Sequence, residues 1–229
     1  MKKKFNLFLI IGCGLFGLFL LLMILLFVNK KEVFGVNVGL SSINQALTVE
    51  GKDLFWASFS DAFFYMSILL GVIPVFIMIF SFLKDKKFKN LNKTYVIYFI
   101  SLVVMAIFYL AFDKVIVVNK RPLIDEAKSS FPSTHIFIGV YLLASTTWFY
   151  VKNNNVLWQK IAALVFAGAS GILLYVSRTL AGVHWFTDLF GGLILAATFF
   201  FLFIGFDRFF KNNVNVESKE ETVITEEKN

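Results

Sequence analysis

FNLFLIIGCGLFGLFLLLMILLFV, residues 5–28, runs for 24 positions without a charged side chain. About 20 apolar residues in a helix cross the hydrocarbon core of a bilayer, so this stretch alone marks the chain as one built to live in lipid. Lys2, Lys3 and Lys4 precede it and Asn29-Lys30-Lys31-Glu32 follow. The run is longer than the core of a secretory signal and lacks a small-residue cleavage pattern at its end. It reads as an uncleaved first membrane helix.

Five more runs of the same kind follow outward from it: Leu54 to Leu83, Thr94 to Val118, Ser133 to Val151, Val156 to Val176 and Trp185 to Phe206. They are continuous apolar stretches, without the alternation of a half-buried strand. The fold class they predict is all-α, a bundle of six transmembrane helices. The connection from Asn29 to Asp53, with Gly35, Gly39 and Gly51, is mixed in character and reads as irregular or interfacial. Gly12-Cys13-Gly14 inside the first run reads as a place where helices approach closely. Residues 1–210 form one membrane domain, and residues 211–229, polar and rich in Glu and Asn, are expected to be a disordered cytoplasmic tail.

Composition agrees, since 58% of the 229 residues are hydrophobic and 18% aromatic, giving a mean hydropathy of +0.76. A net charge of +7 would raise the question of nucleic acid in a soluble protein. Here the lysines sit in short loops between apolar runs, as topology signals do, so no nucleic-acid partner is expected. Cys13 is the only cysteine, which excludes an intrachain disulfide. Lys2 to Lys4, then Lys84, Lys86, Lys87, Lys89 and Lys93, then Lys152 and Lys160, then Arg208 and Lys211 mark every second loop. By the positive-inside rule both termini are cytoplasmic. The outer side then receives 29–53, about 114–132, and 177–184.

Ionisable residues at a membrane edge are costly unless they have a role, and three clusters fall on those outer segments. Lys114 and Arg121, followed by Pro122, are seven residues apart, close to two helical turns, and share a face if the third helix continues that far. Alone, such a pair reads as interfacial anchors, and Lys120 and Lys128 keep that reading. Phe131-Pro132-Ser133-Thr134-His135 opens the fourth helix, with a serine able to cap it and an N-terminus that favours an anion. Taken singly, His135 reads as a hydrogen-bonded structural residue. Ser177-Arg178 and His184 to Asp188 join the last two helices. His184 and Asp188, four apart, are expected on one helix face, with the carboxylate accepting the ring Nδ1–H and leaving Nε2 free. The chain has two histidines, and both are in these clusters.

In combination the clusters resemble the type 2 phosphatidic acid phosphatase family, whose site is similar to that of the vanadium haloperoxidases. The family pattern, Lys-x6-Arg-Pro, then Pro-Ser-Gly-His, then Ser-Arg-x5-His-x3-Asp, is matched at Lys114, Arg121, Pro122, Pro132, Ser133, His135, Ser177, Arg178, His184 and Asp188. Thr134 stands where the commonest form has glycine. Its β-branch excludes a positive φ, so a helical first turn is expected there, with the hydroxyl altering substrate preference.

The resemblance implies a lipid phosphatase of the cell membrane, with its site at the extracytoplasmic helix ends. His184 would be the nucleophile, Asp188 its stabiliser and His135 the acid and then base. Lys114, Arg121, Arg178, Ser133 and the amide of Thr134 would hold the phosphate, with no metal and no cofactor. The partner is a phosphorylated membrane lipid within the bilayer: phosphatidic acid, phosphatidylglycerol phosphate or undecaprenyl diphosphate. A phosphotransferase with the same intermediate is the alternative, and a membrane protein that only binds or transports an anion is a second.

Overall fold

The computed structural model describes residues 6–28, 30–49, 51–87, 91–122 and 129–226, with side chains described as far as Phe210. Lys2, Lys3, Lys4, Phe5, Lys89 and Lys128 lie outside the described residues, as do the side chains of the expected tail.

The chain is an all-α, multi-pass membrane protein. Its elements are α1 (Leu7–Phe27), a hairpin of β1 (Lys31–Val33) and β2 (Val36–Val38), a short α2 (Ser41–Leu47), α3 (Leu54–Asp85), α4 (Lys93–Lys114), α5 (Thr134–Asn153), α6 (Leu157–Leu180) and α7 (Phe186–Glu226). Six helices are long and apolar enough to span a bilayer, α7 through its Phe186–Phe210 part. Past Phe210, α7 stays helical to Glu226, where the sequence predicts a disordered tail. Extending a helix already formed avoids the cost of nucleating one.

In lipid there is little hydrophobic gain from helix pairing, so close van der Waals approach does much of the work. At Gly12 of α1 a Cβ would fall 2.7 Å from Leu202 of α7, whereas Gly14 faces open space. Of the Gly12-Cys13-Gly14 triplet, the first glycine alone makes the close packing. α5 lies centrally, against α3, α6 and α7. Phe131, just ahead of α5, stacks on Phe19 of α1 with centroids 5.5 Å apart and meets Phe112 of α4 edge-on at 6.2 Å. Such pairs add about 0.5–1.5 kcal/mol each beyond burial.

The connection between α1 and α3, read as irregular or interfacial, contains an ordered cap over residues 31–48. β1 and β2 pair antiparallel, Lys31 opposite Val38 and Val33 opposite Val36. Phe34 of their turn stacks flat on Trp185 at 6.0 Å. Asn44 of α2 donates to Thr187 Oγ1 at 3.0 Å and accepts from Thr187 N at 3.1 Å, while Thr48 Oγ1 accepts from Phe186 N at 3.1 Å. These are first-turn amides of α7, which a helix cannot satisfy internally. At the other end of the bundle, buried Asp207 accepts from Thr94 Oγ1 at 2.5 Å and from Lys152 Nζ at 3.1 Å.

Two departures bear on the site. α4 ends at Lys114, four residues short of the expected boundary, because Val115-Ile-Val-Val is poor helix sequence and the chain leaves the helix to bury Asn119. Along α7, Gly191 and Gly192 let the start of α5 settle against the helix: a Cβ at Gly192 would lie 2.7 Å from the Ser133 carbonyl oxygen, and one at Gly191 would lie 2.3 Å from the Phe131 ring.

Candidate active site

The site is assembled at one end of the bundle, where Asp61 of α3, Arg121 after α4, the first turn of α5, Arg178 of α6 and the α6–α7 junction converge. Gly182, in the junction, has φ +63°, and a Cβ there would fall 1.9 Å from the Gly51 carbonyl oxygen. Only glycine fits a turn both left-handed and so tightly covered. The turn delivers His184, 4% exposed, into the interior.

His184 precedes α7, so it does not share a helix face with Asp188. Its Nδ1 lies 3.0 Å from the Ser130 carbonyl oxygen and 3.7 Å from Asp188 Oδ2. The first is a hydrogen bond; the second is charge proximity without one. A carbonyl only accepts, so Nδ1 carries the proton. Nε2, 3.4 Å from Arg178 Nη2, then presents its lone pair to a permanent donor. The acceptor that favours this tautomer is the Ser130 carbonyl, and not Asp188 as expected. Burial, followed by the charges of Arg178 and Arg121, holds the imidazole well below the ordinary histidine value of 6.5, so it stays neutral and nucleophilic.

Asp188 is fully buried and ties three segments together. Oδ2 accepts from Trp185 N at 3.0 Å, Oδ1 accepts from Asn119 Nδ2 at 3.1 Å, and its carbonyl accepts from Ser133 N at 2.9 Å. It caps α7, holds the strand-like run after α4, and docks the start of α5. A buried carboxylate needs such donors to stay in place.

Ser133 occupies the N-cap of α5 but makes no side-chain cap bond, contrary to the expectation that it caps the helix. Its Oγ is buried without a protein partner, as are Nε of Arg121 and Nε of Arg178. Buried polar atoms are rarely left so; Arg121 lines a small cavity, Ser133 sits in sequence between two of its lining residues, and Arg178 contacts a third, His184. That cavity is lined by Arg121, Ser130, Pro132, Thr134 and His184, with Phe108 and Phe112 behind them. Thr134 is the first residue of α5, in helical conformation. The unpaired amides of that first turn carry the positive end of the helix dipole, an arrangement suited to an anion.

Lys114 is not drawn in. It closes α4, is 73% exposed, and pairs with its neighbour Asp113 at 2.8 Å. Because α4 ends there, the shared-face argument for Lys114 and Arg121 does not hold.

Sequence reasoning missed Asp61, Ser60, Asn119 and Ser130. Asp61 Oδ1 lies 2.9 Å from His135 Nε2 and 3.5 Å from Arg178 Nη1, and Ser60 Oγ accepts from the same Nη1 at 3.2 Å. A signal for Asp61 was present, since it is the one charged residue between Leu54 and Leu83. Asn119 and Ser130 act through an amide and a backbone carbonyl and leave no pattern. Among the described residues, no group of three or more His, Cys, Asp and Glu side chains comes together as a metal site would require.

Residues 109–211 match the model of the PAP2 superfamily. Over 87 residues, 38% of this chain, the sequence is 37% identical to phosphatidylglycerophosphatase B of Bacillus subtilis (strain 168). The match spans 43% of that protein, less than half its length. The fold is similar to the crystal structure of a transmembrane PAP2-type phosphatidylglycerolphosphate phosphatase from Bacillus subtilis, with a TM-score of 0.56 and 24% identity, over 86% of this chain and 96% of the other.

Proposed function

We propose that this chain, which belongs to the PAP2 superfamily, is a membrane lipid phosphatase that works through a phosphohistidine on His184. One observation carries the reading: His184 is fixed as the Nδ1–H tautomer by Ser130, and its free Nε2 faces Arg178 at 3.4 Å. An oriented, neutral nucleophile beside a cation that can hold a phosphoryl oxygen is what in-line attack on phosphorus needs.

In the first half-reaction Nε2 bonds to phosphorus, the bond from phosphorus to the lipid oxygen breaks, and His135 gives that oxygen a proton. In the second, His135 takes a proton from water as the water oxygen attacks phosphorus. The P–N bond breaks, and inorganic phosphate and His184 are released. Asp188, 3.7 Å from Nδ1, offsets the positive charge on the ring while phosphorus is attached. The unpaired Ser133 Oγ, Arg121, Arg178 and the first amides of α5, Thr134 among them, provide donors for the non-bridging oxygens. These groups supply the charge that Mg²⁺ supplies in other phosphoryl transfers.

The name of the Bacillus relative puts phosphatidylglycerophosphate first among the candidate lipids, ahead of phosphatidic acid and undecaprenyl diphosphate. Lysines and arginines support an outward-facing site with both termini inside: Lys84, Lys93, Lys152, Lys160 and Arg208 all sit at the helix ends away from His184.

The test is release of inorganic phosphate from the three lipids by detergent-purified protein in EDTA, beside His184→Ala. Release by the wild type and none by the variant supports a metal-independent hydrolase. Turnover that consumes lipid without free phosphate supports a transferase, and no turnover at all supports a protein that only binds.

A further inference from the structure

Asp61 belongs to none of the three sequence clusters, yet it joins two of them. Its Oδ1 is 2.9 Å from His135 Nε2 and 3.5 Å from Arg178 Nη1, and Arg178 Nη2 is 3.4 Å from His184 Nε2. One unbroken chain of polar contacts therefore runs from the second histidine, through Asp61 and Arg178, to the nucleophile. One turn along α3, Phe64 lies against the His135 ring, with centroids 4.3 Å apart. α3 thus holds that ring by its edge and its face.

We propose that Asp61 is a positioning residue for the proton-transferring histidine: it fixes His135 through Nε2–H and leaves Nδ1 as the nitrogen that serves the departing lipid oxygen. This rests on the phosphatase reading above. The charged and titratable groups facing His135 are Asp61 from α3, Arg178 from α6 and His184 from the junction. Asp61 is the one anion among them, and its Oδ1 faces the ring nitrogen at 2.9 Å. The proton delivered to the lipid oxygen comes from His135.

Position implies a trade. A carboxylate bonded to Arg178 repels the phosphate that Arg178 also binds, so Asp61 assists proton transfer at the expense of anion affinity. Removing the charge alone, as Asp61→Asn does, separates these effects. Asp61 is 43% exposed in its side chain, so an isosteric amide leaves the packing intact.

The experiment uses the full chain in detergent, as wild type, Asp61→Asn and Asp61→Glu, with three probes: phosphatidic acid, p-nitrophenyl phosphate and inorganic phosphate. An alkoxide must be protonated to leave, whereas nitrophenolate leaves unaided. Asp61→Asn is expected to lower kcat/KM for phosphatidic acid about 100-fold, of the order of a lost general acid. It should lower kcat/KM for p-nitrophenyl phosphate severalfold at most, tighten inorganic phosphate binding severalfold, and be rescued in part by Asp61→Glu. Equal losses on both esters, or weaker phosphate binding in Asp61→Asn, would be structural damage and would overturn the role. A wild type that hydrolyses neither ester overturns the phosphatase reading itself, an outcome distinct from an active wild type that Asp61→Asn leaves unaffected.

Discussion

Arg178 Nη2 stands 3.4 Å from Nε2 of His184, so the atom proposed to attack phosphorus is held, before substrate arrives, by the group that will bind the phosphoryl oxygens. A phosphate entering the site takes over the guanidinium and frees the nitrogen in the same movement. The fork matters as much as the charge, since Nη1 is already anchored to Ser60 and Asp61.

Arg178→Lys keeps the charge and loses the fork. The expected result is a fall of about 10²–10³-fold in kcat/KM, the scale of one lost transition-state donor. Steady-state phosphate release from each lipid measures it, and a loss below threefold would show that a point charge suffices.

The acid side of the pH profile follows from the burial of His184 between Arg178 and Arg121. In the free enzyme its pKa is depressed, so the neutral nucleophile persists as pH falls through 6.5, and this residue causes no loss of kcat/KM there. Stability behaves differently. Below pH 6.5 the unfolded chain takes up a proton that the folded chain excludes, so stability declines as the medium becomes more acidic. A kcat/KM profile corrected for the ionisation of the substrate phosphate, together with a thermal unfolding series over the same pH range, checks both signs.

Asp188→Asn removes a charge 3.7 Å from the nucleophile's ring but leaves Ser130 to hold the tautomer. The loss of kcat is expected near 100-fold, smaller than if the carboxylate alone oriented the ring. Because Asp188 also accepts from Trp185 N and Asn119, the melting temperature should fall as well. Rapid kinetics and thermal unfolding on one preparation separate the two effects.

Lys114 tests the reverse case. Its exposed pair with Asp113 is worth about 0–1 kcal/mol, so it is easily surrendered when a phosphate comes within reach. Lys114→Ala should raise KM up to roughly tenfold, about 1.4 kcal/mol of lost attraction, with a smaller change in kcat. A fall in kcat with KM unchanged would put the ammonium on the transition state instead.

The bundle was legible because lipid imposes a coarse rule: a run such as residues 5–28 has few alternatives to spanning. The clusters at Arg121, His135, Arg178 and His184 were legible because charges at membrane edges stand out from their surroundings. What escaped was fixed by tertiary approach. The Ser130 carbonyl bonds His184 from 54 positions away, and a backbone acceptor leaves no trace in residue type. The early end of α4 and the uncapped Ser133 likewise depend on Asp188, whose partners come from two other segments. Asp61 escaped for a different reason. It sits alone in an apolar span, with the histidine and arginine that explain it on two other helices.

The central claim is a covalent bond between His184 and phosphorus. Its most direct test is a rapid acid-free quench of the detergent-purified protein, mixed with lipid labelled in its terminal phosphate, followed by mapping of protein-bound label. The expected label is stable to base, labile to acid, located on His184 and missing from His184→Ala. Full turnover by His184→Ala, or label found on another residue, would contradict it.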